Sequence, residues 1–185
     1  DIGGDGWGNQ QLEYDTDRTE NASVDGQGHL VITARREVYQ GRDYTSARIK
    51  TAGKVEFTYG RVEARIQLPQ GQGIWPAFWL LGSNITEVSW PQCGEIDILE
   101  QRGQQPNIVL GSLHGPGYSG ATPISSQTSV SGGTTDLFHV YAVEWSETEI
   151  RWSIDGYEYH SVKKSQLRPS QMWVFDAPFF IILNV

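Results

Sequence analysis

The stretch Arg61-Val62-Glu63-Ala64-Arg65-Ile66-Gln67-Leu68 alternates without a fault. Val62, Ala64, Ile66 and Leu68 point one way, and Arg61, Glu63, Arg65 and Gln67 the other. That two-residue period is the mark of a half-buried strand. Outward from it, His29 to Arg35 alternates in the same manner, with Leu30, Ile32 and Ala34 in phase. Ile150, Trp152 and Ile154 alternate with Arg151, Ser153 and Asp155, and after Asp155-Gly156 the run resumes as Tyr157-Glu158-Tyr159. Asp-Gly between two alternating runs is a strong hairpin signal. Leu137 to Trp145 reads as a further strand, and Phe179 to Val185 as one buried on both faces. Turn clusters separate the runs, among them Asp25-Gly-Gln-Gly28, Pro69-Gln-Gly-Gln-Gly73 and Ser131-Gly-Gly133. The best helical candidate is a single turn at Lys163 to Leu167. Many short strands with turns between them predict an all-β fold, an antiparallel sandwich or barrel.

The 185 residues correspond to about one domain. That length buries a core without metals or disulfides, and Cys93 is the only cysteine. Gly 21 and Pro 8 fit a turn-rich chain, while Trp 7 and Tyr 8 predict a core or a binding face rich in flat rings. The net charge is −8, and the longest basic runs are the pairs Arg35-Arg36 and Lys163-Lys164. A chain of this kind is a poor binder of nucleic-acid backbones, anionic polysaccharides or acidic membranes. No apolar run approaches the ~20 residues that span a bilayer. The opening Asp1-Ile-Gly-Gly carries no signal peptide. No phosphate loop, dinucleotide fingerprint or Gly-x-Ser-x-Gly elbow occurs, and the four histidines lack zinc-like spacing.

The most informative segment is Gly94-Glu95-Ile96-Asp97-Ile98-Leu99-Glu100. On a regular strand Glu95 and Asp97 share a face and Glu100 points to the opposite one. A β-bulge between Asp97 and Glu100 absorbs one residue and puts all three acids on one face, with Ile96 and Ile98 toward the core. Three carboxylates along one line repel, so the group holds a proton. That state suits glycosidic-bond hydrolysis, in which one carboxylate attacks the anomeric carbon and a protonated one serves the leaving oxygen. Four strand steps put the Cα atoms of the outer acids about 13 Å apart, and inward-leaning side chains close that toward the ~5–5.5 Å of retaining enzymes. A solvent-facing acidic edge, or ligands for a hard cation such as Ca²⁺, are the competing readings.

Rings and polar groups surround the triplet in sequence. Gly73-Ile-Trp75-Pro76-Ala-Phe78-Trp79-Leu-Leu81 is aromatic-rich, and Trp90 lies five residues before Glu95. Indoles stack on the C–H faces of sugars and keep an N–H to donate, though rings also fill sandwich cores. Trp145, Trp152 and Trp173 are expected in the core or the far sheet, away from the acids, and Phe78 in the core. Trp7-Gly8-Asn9 reads as a loop with ligand-contact potential, and Asn9 offers donor and acceptor to hydroxyls. Arg48 is either an outward strand arginine or a sugar contact. His114 begins the loop His114-Gly-Pro-Gly117, where a structural role competes with a functional one. Asn21-Ala-Ser23 and Asn84-Ile-Thr86 match the N-glycosylation acceptor pattern.

Gly94-Glu-Ile-Asp-Ile-Leu-Glu100 resembles the signature of glycoside hydrolase family 16, in the form with two residues before the last Glu. In order along the chain, Trp7-Gly-Asn-Gln-Gln-Leu-Glu-Tyr14, Tyr44-Thr-Ser-Ala-Arg-Ile-Lys50, Tyr59-Gly-Arg-Val-Glu-Ala-Arg65 and Gly73-Ile-Trp-Pro-Ala-Phe-Trp79 resemble its laminarinase-type bacterial members. So do Leu113-His-Gly-Pro-Gly-Tyr118, Phe138-His-Val-Tyr-Ala-Val-Glu-Trp145 and Pro178-Phe-Phe-Ile-Ile-Leu-Asn184. The resemblance implies a concanavalin A-like β-jelly-roll sandwich of two antiparallel sheets with a concave substrate cleft. It implies retaining endo-hydrolysis of β-1,3-glucan with Glu95 as nucleophile, Asp97 assisting and Glu100 as acid/base. Asn9, Arg48, Trp75, Trp79, Trp90 and His114 match positions that line the cleft, and no metal takes part in catalysis.

Residues 1–185 are expected to form one catalytic domain lacking the first and last strands of the full family domain. A structural calcium common in the family draws ligands partly from those ends, and Gly28 offers it only a backbone oxygen. The resemblance further implies a secreted, monomeric enzyme whose partner is a neutral β-glucan, with no nucleic acid or membrane. The charge of −8 disfavours the sulfated-galactan members. The spacing before Glu100 disfavours the lichenase and xyloglucan branches. A non-catalytic β-glucan-binding protein on the same fold, a family 16 enzyme for mixed-linkage glucan or a red-algal galactan, and a Ca²⁺-dependent lectin are the alternatives.

Overall fold

The computed structural model describes residues 1–185. Its strands are β1 (Glu13–Asp15), β2 (Ala22–Val24), β3 (Leu30–Ile32), β4 (Arg35–Tyr39), β5 (Arg42–Ser46), β6 (Arg48–Lys50), β7 (Gly60–Ile66) and β8 (Ala77–Gly82). They continue as β9 (Glu95–Glu100), β10 (Ile108–His114), β11 (Ile124–Ser129), β12 (His139–Trp145), β13 (Glu149–Ile154), β14 (Tyr157–Lys163) and β15 (Phe179–Asn184). The chain is nearly all-β, as its alternating runs predict. It divides into two compact units, one of residues 51–181 and one of residues 1–50 with 182–185.

In the unit of residues 51–181, one sheet runs β11-β10-β9-β8 and on to the start of β15, and a second runs β14-β13-β12-β7. The pairs β10–β11, β9–β10, β8–β9, β7–β12, β12–β13 and β13–β14 are all antiparallel. The inner faces meet as a sandwich. Phe78, Leu80, Ile96, Leu99, Val109 and Leu113 from the first sheet and Tyr141, Val143, Trp145, Ile150 and Trp152 from the second are all buried. Each large aliphatic removed from water there contributes about 1.5–3 kcal/mol. The β7 alternation is realised with Val62 buried and Arg61, Glu63 and Arg65 exposed. Asp155 and Gly156 turn β13 into β14 with φ of 51° and 83°, the left-handed pair of a type I′ hairpin.

Local differences from expectation have physical causes. The turn at Lys163 to Leu167 is a 3-10 turn, Lys164–Gln166. The one-turn helix α1 (Ile85–Val88) has no amphipathic signature, because it buries no residue. Trp173 lies outside any strand and donates to Asp176 Oδ1 at 3.1 Å.

In the unit of residues 1–50 with 182–185, β1 pairs in parallel with β5, while β5 with β4, β2 with β3, and β6 with the end of β15 are antiparallel pairs. His29 to Arg35 is not one strand. It breaks at Thr33, whose N–H donates to the Asn21 carbonyl at 2.8 Å and whose carbonyl accepts from Asn21 Nδ2 at 3.0 Å. Leu30 is consequently half exposed. Asn21 is fully buried within this network, so its acceptor pattern is closed to a glycan in the folded chain.

Candidate active site

Strand β9 carries the acidic triplet between β8 and β10. Against β10, Glu95 pairs with His114, Asp97 with Ser112 and Glu100 with Leu110, so Gly111 alone opposes both Ile98 and Leu99. Against β8, Leu99 pairs with Phe78 and Asp97 with Trp79, which leaves Ile98 as the extra residue. This is the bulge expected between Asp97 and Glu100, and it brings the three acids to one face of the sheet. Ile96, Ile98 and Leu99 are buried. Trp79, Ser112 and His114 stand directly opposite acids, and opposed residues share a face.

The outer acids each receive an indole N–H. Trp90 Nε1 donates to Glu95 Oε2 at 2.8 Å, and Trp75 Nε1 donates to Glu100 Oε1 at 3.0 Å. Both indoles remain about two-fifths exposed (40% for Trp75, 41% for Trp90), so their rings stay open to a ligand. Trp90 also lies against the His114 ring, centroids 5.9 Å apart. His114 Nε2 is 3.2 Å from Asp97 Oδ2 and 3.7 Å from Glu95 Oε1. Ser112 hydrogen-bonds Glu100. His114 is the last residue of β10 and buried, not the start of a loop.

Burial dominates the electrostatics. It pushes the Glu95 carboxyl up to about 8, with the Asp97 charge adding to the rise and His114 and the Trp90 N–H opposing it. Asp97 is held well above the usual carboxylate range, first by burial and then by the charge of Glu100, against a hydrogen bond with Glu95. Glu100 is raised by burial and lowered by His114 and the Trp75 N–H. Three such groups titrate as a set. Asp97 is the most buried of the three.

Asn9 and Arg48 belong to the unit of residues 1–50 with 182–185. Arg48 lies over the Trp7 ring at 4.9 Å, and its Nε donates to Asp1 Oδ2 at 3.1 Å. Trp7 has a packing reason that its glycine-flanked loop hides: its Nε1 donates to the buried Asp15 Oδ2 at 2.7 Å. Asn9 is exposed in the adjoining turn. Around Gly28, the Asp25 carboxylate is already committed to the N–H groups of Gln27 and His29 and to the His29 ring.

Sequence reasoning missed Ser112 and the contact of Trp152 with the acid strand. Ser112 lies two residues before His114 on the same strand, and that period was the available signal. Trp152 gives no local signal, because its partner is 55 residues away on the other sheet.

A family model described as glycosyl hydrolases family 16 matches residues 9–184. A beta-glucanase from Rhodothermus marinus is 46% identical over 194 aligned positions, covering 100% of this chain and 67% of that protein. The solved endo-beta-1,3-glucanase from Pyrococcus furiosus superposes with a TM-score of 0.94 at 47% identity, over 100% of this chain and 75% of that one. The laminarinase catalytic domain from Thermotoga maritima gives 0.94 at 48% identity, over 100% and 78%.

Proposed function

The chain belongs to glycosyl hydrolases family 16, and on that premise we propose that it is a retaining endo-β-1,3-glucanase acting on laminarin-type glucan. The observation that carries the reading is the bulge in β9, which sets Glu95, Asp97 and Glu100 on one face with an indole N–H on each outer acid. The names of the two solved relatives at 47% and 48% identity, an endo-beta-1,3-glucanase and a laminarinase, support the same linkage.

In this reading the Glu95 carboxylate attacks the anomeric carbon. Glu100, kept protonated by burial, gives its proton to the glycosidic oxygen as that bond breaks. Glu100 then takes a proton from water, which displaces Glu95 from the sugar and restores both groups. Asp97, hydrogen-bonded to Glu95, assists and tunes the nucleophile. Trp75, Trp79 and Trp90 offer faces for neutral sugar rings, and His114 orients the two acids beside it. For Asn9 and Arg48 a substrate-binding role rests on the family resemblance alone. The chemistry needs no cofactor. A polysaccharide substrate fits an enzyme that acts outside the cell, and we read the enzyme as a monomer within one catalytic domain. No helix is long and apolar enough to cross a membrane.

Reducing-end release from laminarin, lichenan, agarose and carrageenan tests the reading. Laminarin is the expected substrate, and ¹H NMR of the first product should show retained anomeric configuration. Failure to cleave laminarin, or an inverted first product, would overturn it.

A further inference from the structure

We propose that Trp152, on the sheet packed behind the acid-bearing strand, is a positioning residue for that catalytic strand. Its indole N–H holds the Asp97 carbonyl in the direction the bulge requires, and so fixes how Glu95 and Glu100 project. The proposal rests on the catalytic reading of the triplet given above.

In a regular antiparallel strand, carbonyls lie in the sheet and bond to neighbouring strands. A bulge takes one residue out of that ladder. Here the extra residue is Ile98, immediately after Asp97. The Asp97 carbonyl accepts a bond from Trp152 Nε1 at 2.8 Å, across the core and fully buried. A buried carbonyl stripped of its donor costs about 1–3 kcal/mol. Without Trp152 the strand would recover that cost by turning the carbonyl back toward the ladder, which rotates the Asp97–Ile98 peptide and the side chains on either side.

The donor is itself fixed in place. Trp152 is fully buried, and its ring is stacked on His160 with centroids 4.7 Å apart and planes at 29°. Gly111, the residue that faces the bulge, provides the space. A Cβ there would fall 2.6 Å from Trp152 Cδ1, 2.9 Å from its Nε1 and 2.6 Å from the Tyr159 hydroxyl. The next residue along, Ser112, is the one paired with Asp97 and bonded to Glu100. Ring position, bulge and acid direction are therefore linked through adjoining atoms.

Trp145 supplies the control. It sits one strand away in the same sheet, is equally buried, and donates its Nε1 to the Phe175 carbonyl at 3.0 Å, a bond of the same kind away from the acids. The experiment measures kcat, KM and Tm for the wild type, Trp152→Phe and Trp145→Phe. A further variant carries 3-benzothienylalanine at 152, which keeps the ring and replaces the N–H by sulfur. Both changes at 152 should lower kcat about tenfold or more with KM nearly unchanged, as misplacement of catalytic groups by a fraction of an ångström does. Trp145→Phe should lose stability to a similar degree and keep its kcat. If the variants at 152 keep kcat, or lose no more than Trp145→Phe, the proposal is wrong. Should Trp152→Phe fail to fold, the benzothienyl variant decides. A wild type inactive on laminarin sinks the proposed function instead. The crystal structure of the benzothienyl variant then decides this inference, a rotated Asp97–Ile98 peptide supporting it and an unchanged bulge overturning it.

Discussion

Trp90 Nε1 reaches Glu95 Oε2 at 2.8 Å while the same indole leans on the His114 ring. One side chain thus donates to Glu95, the proposed nucleophile, and keeps its own ring about two-fifths exposed. A donor on a carboxylate lowers its pKa, and this one opposes the burial that pushes Glu95 up to about 8. Trp90→Phe keeps a ring and removes the donor. The acid limb of kcat/KM, where Glu95 must lose its proton, should move to higher pH by about one unit or less, with KM raised by the smaller stacking face. A pH-rate profile checks this, and an acid limb that stays put refutes it.

Glu95 and Glu100 should separate kinetically. Glu95→Gln removes the proposed nucleophile and should lower kcat by roughly 10³-fold or more on any substrate. Glu100→Ala should lower it by about 10²–10⁴ on laminarin. With a dinitrophenyl β-glucan oligosaccharide, whose leaving group needs no proton, Glu100→Ala should recover most of its first-step rate and Glu95→Gln none. Equal behaviour of the two variants on the activated substrate contradicts the assigned roles.

A Cβ at Gly103 would stand 1.6 Å from the carbonyl oxygen of Gly71 and 3.3 Å from that of Ile74. The Gly103 N–H already donates to Ile74 at 2.8 Å, so this glycine seats the loop that leads into Trp75. Gly103→Ala must push that loop away, at about 1–3 kcal/mol. The displaced Trp75 then releases Glu100. Both Tm and kcat/KM should fall, and an unchanged Tm in thermal unfolding would show that the close approach is not there.

Legibility in the sequence followed the range of the interaction. Arg61 to Ile66 and the Asp155-Gly156 hairpin were readable because a strand face and a two-residue turn are local patterns. The bulge was readable because Glu95, Asp97 and Glu100 make sense on one face only if a residue is absorbed between them. His29 to Arg35 misled, since its alternation is overridden at Thr33 by Asn21, twelve residues back. Trp7 looked unsupported for the same reason, its partner Asp15 being visible only once the chain is folded. Ser112 and Trp152 are short of any motif, and only strand register and sheet facing bring them to the acids.

Asp15 gives the last prediction. It is buried at 1% exposure, its Oδ1 has no partner, and burial pushes its carboxyl from 3.8 up to about 6, with Glu13 adding and the Trp7 N–H and Arg48 opposing. An acid whose folded pKa lies above its unfolded one binds a proton on folding. Its contribution is full below the unfolded value and is lost as pH rises through about 6. Asp15→Asn keeps an oxygen for the Trp7 N–H and removes the titration. Its Tm should exceed that of the wild type at pH 8 by about 5 °C, and the difference should shrink toward zero at pH 4. Calorimetry of both proteins across that range measures it. A difference independent of pH would mean that Asp15 is charged in the folded chain throughout, with Arg48 rather than burial setting its state.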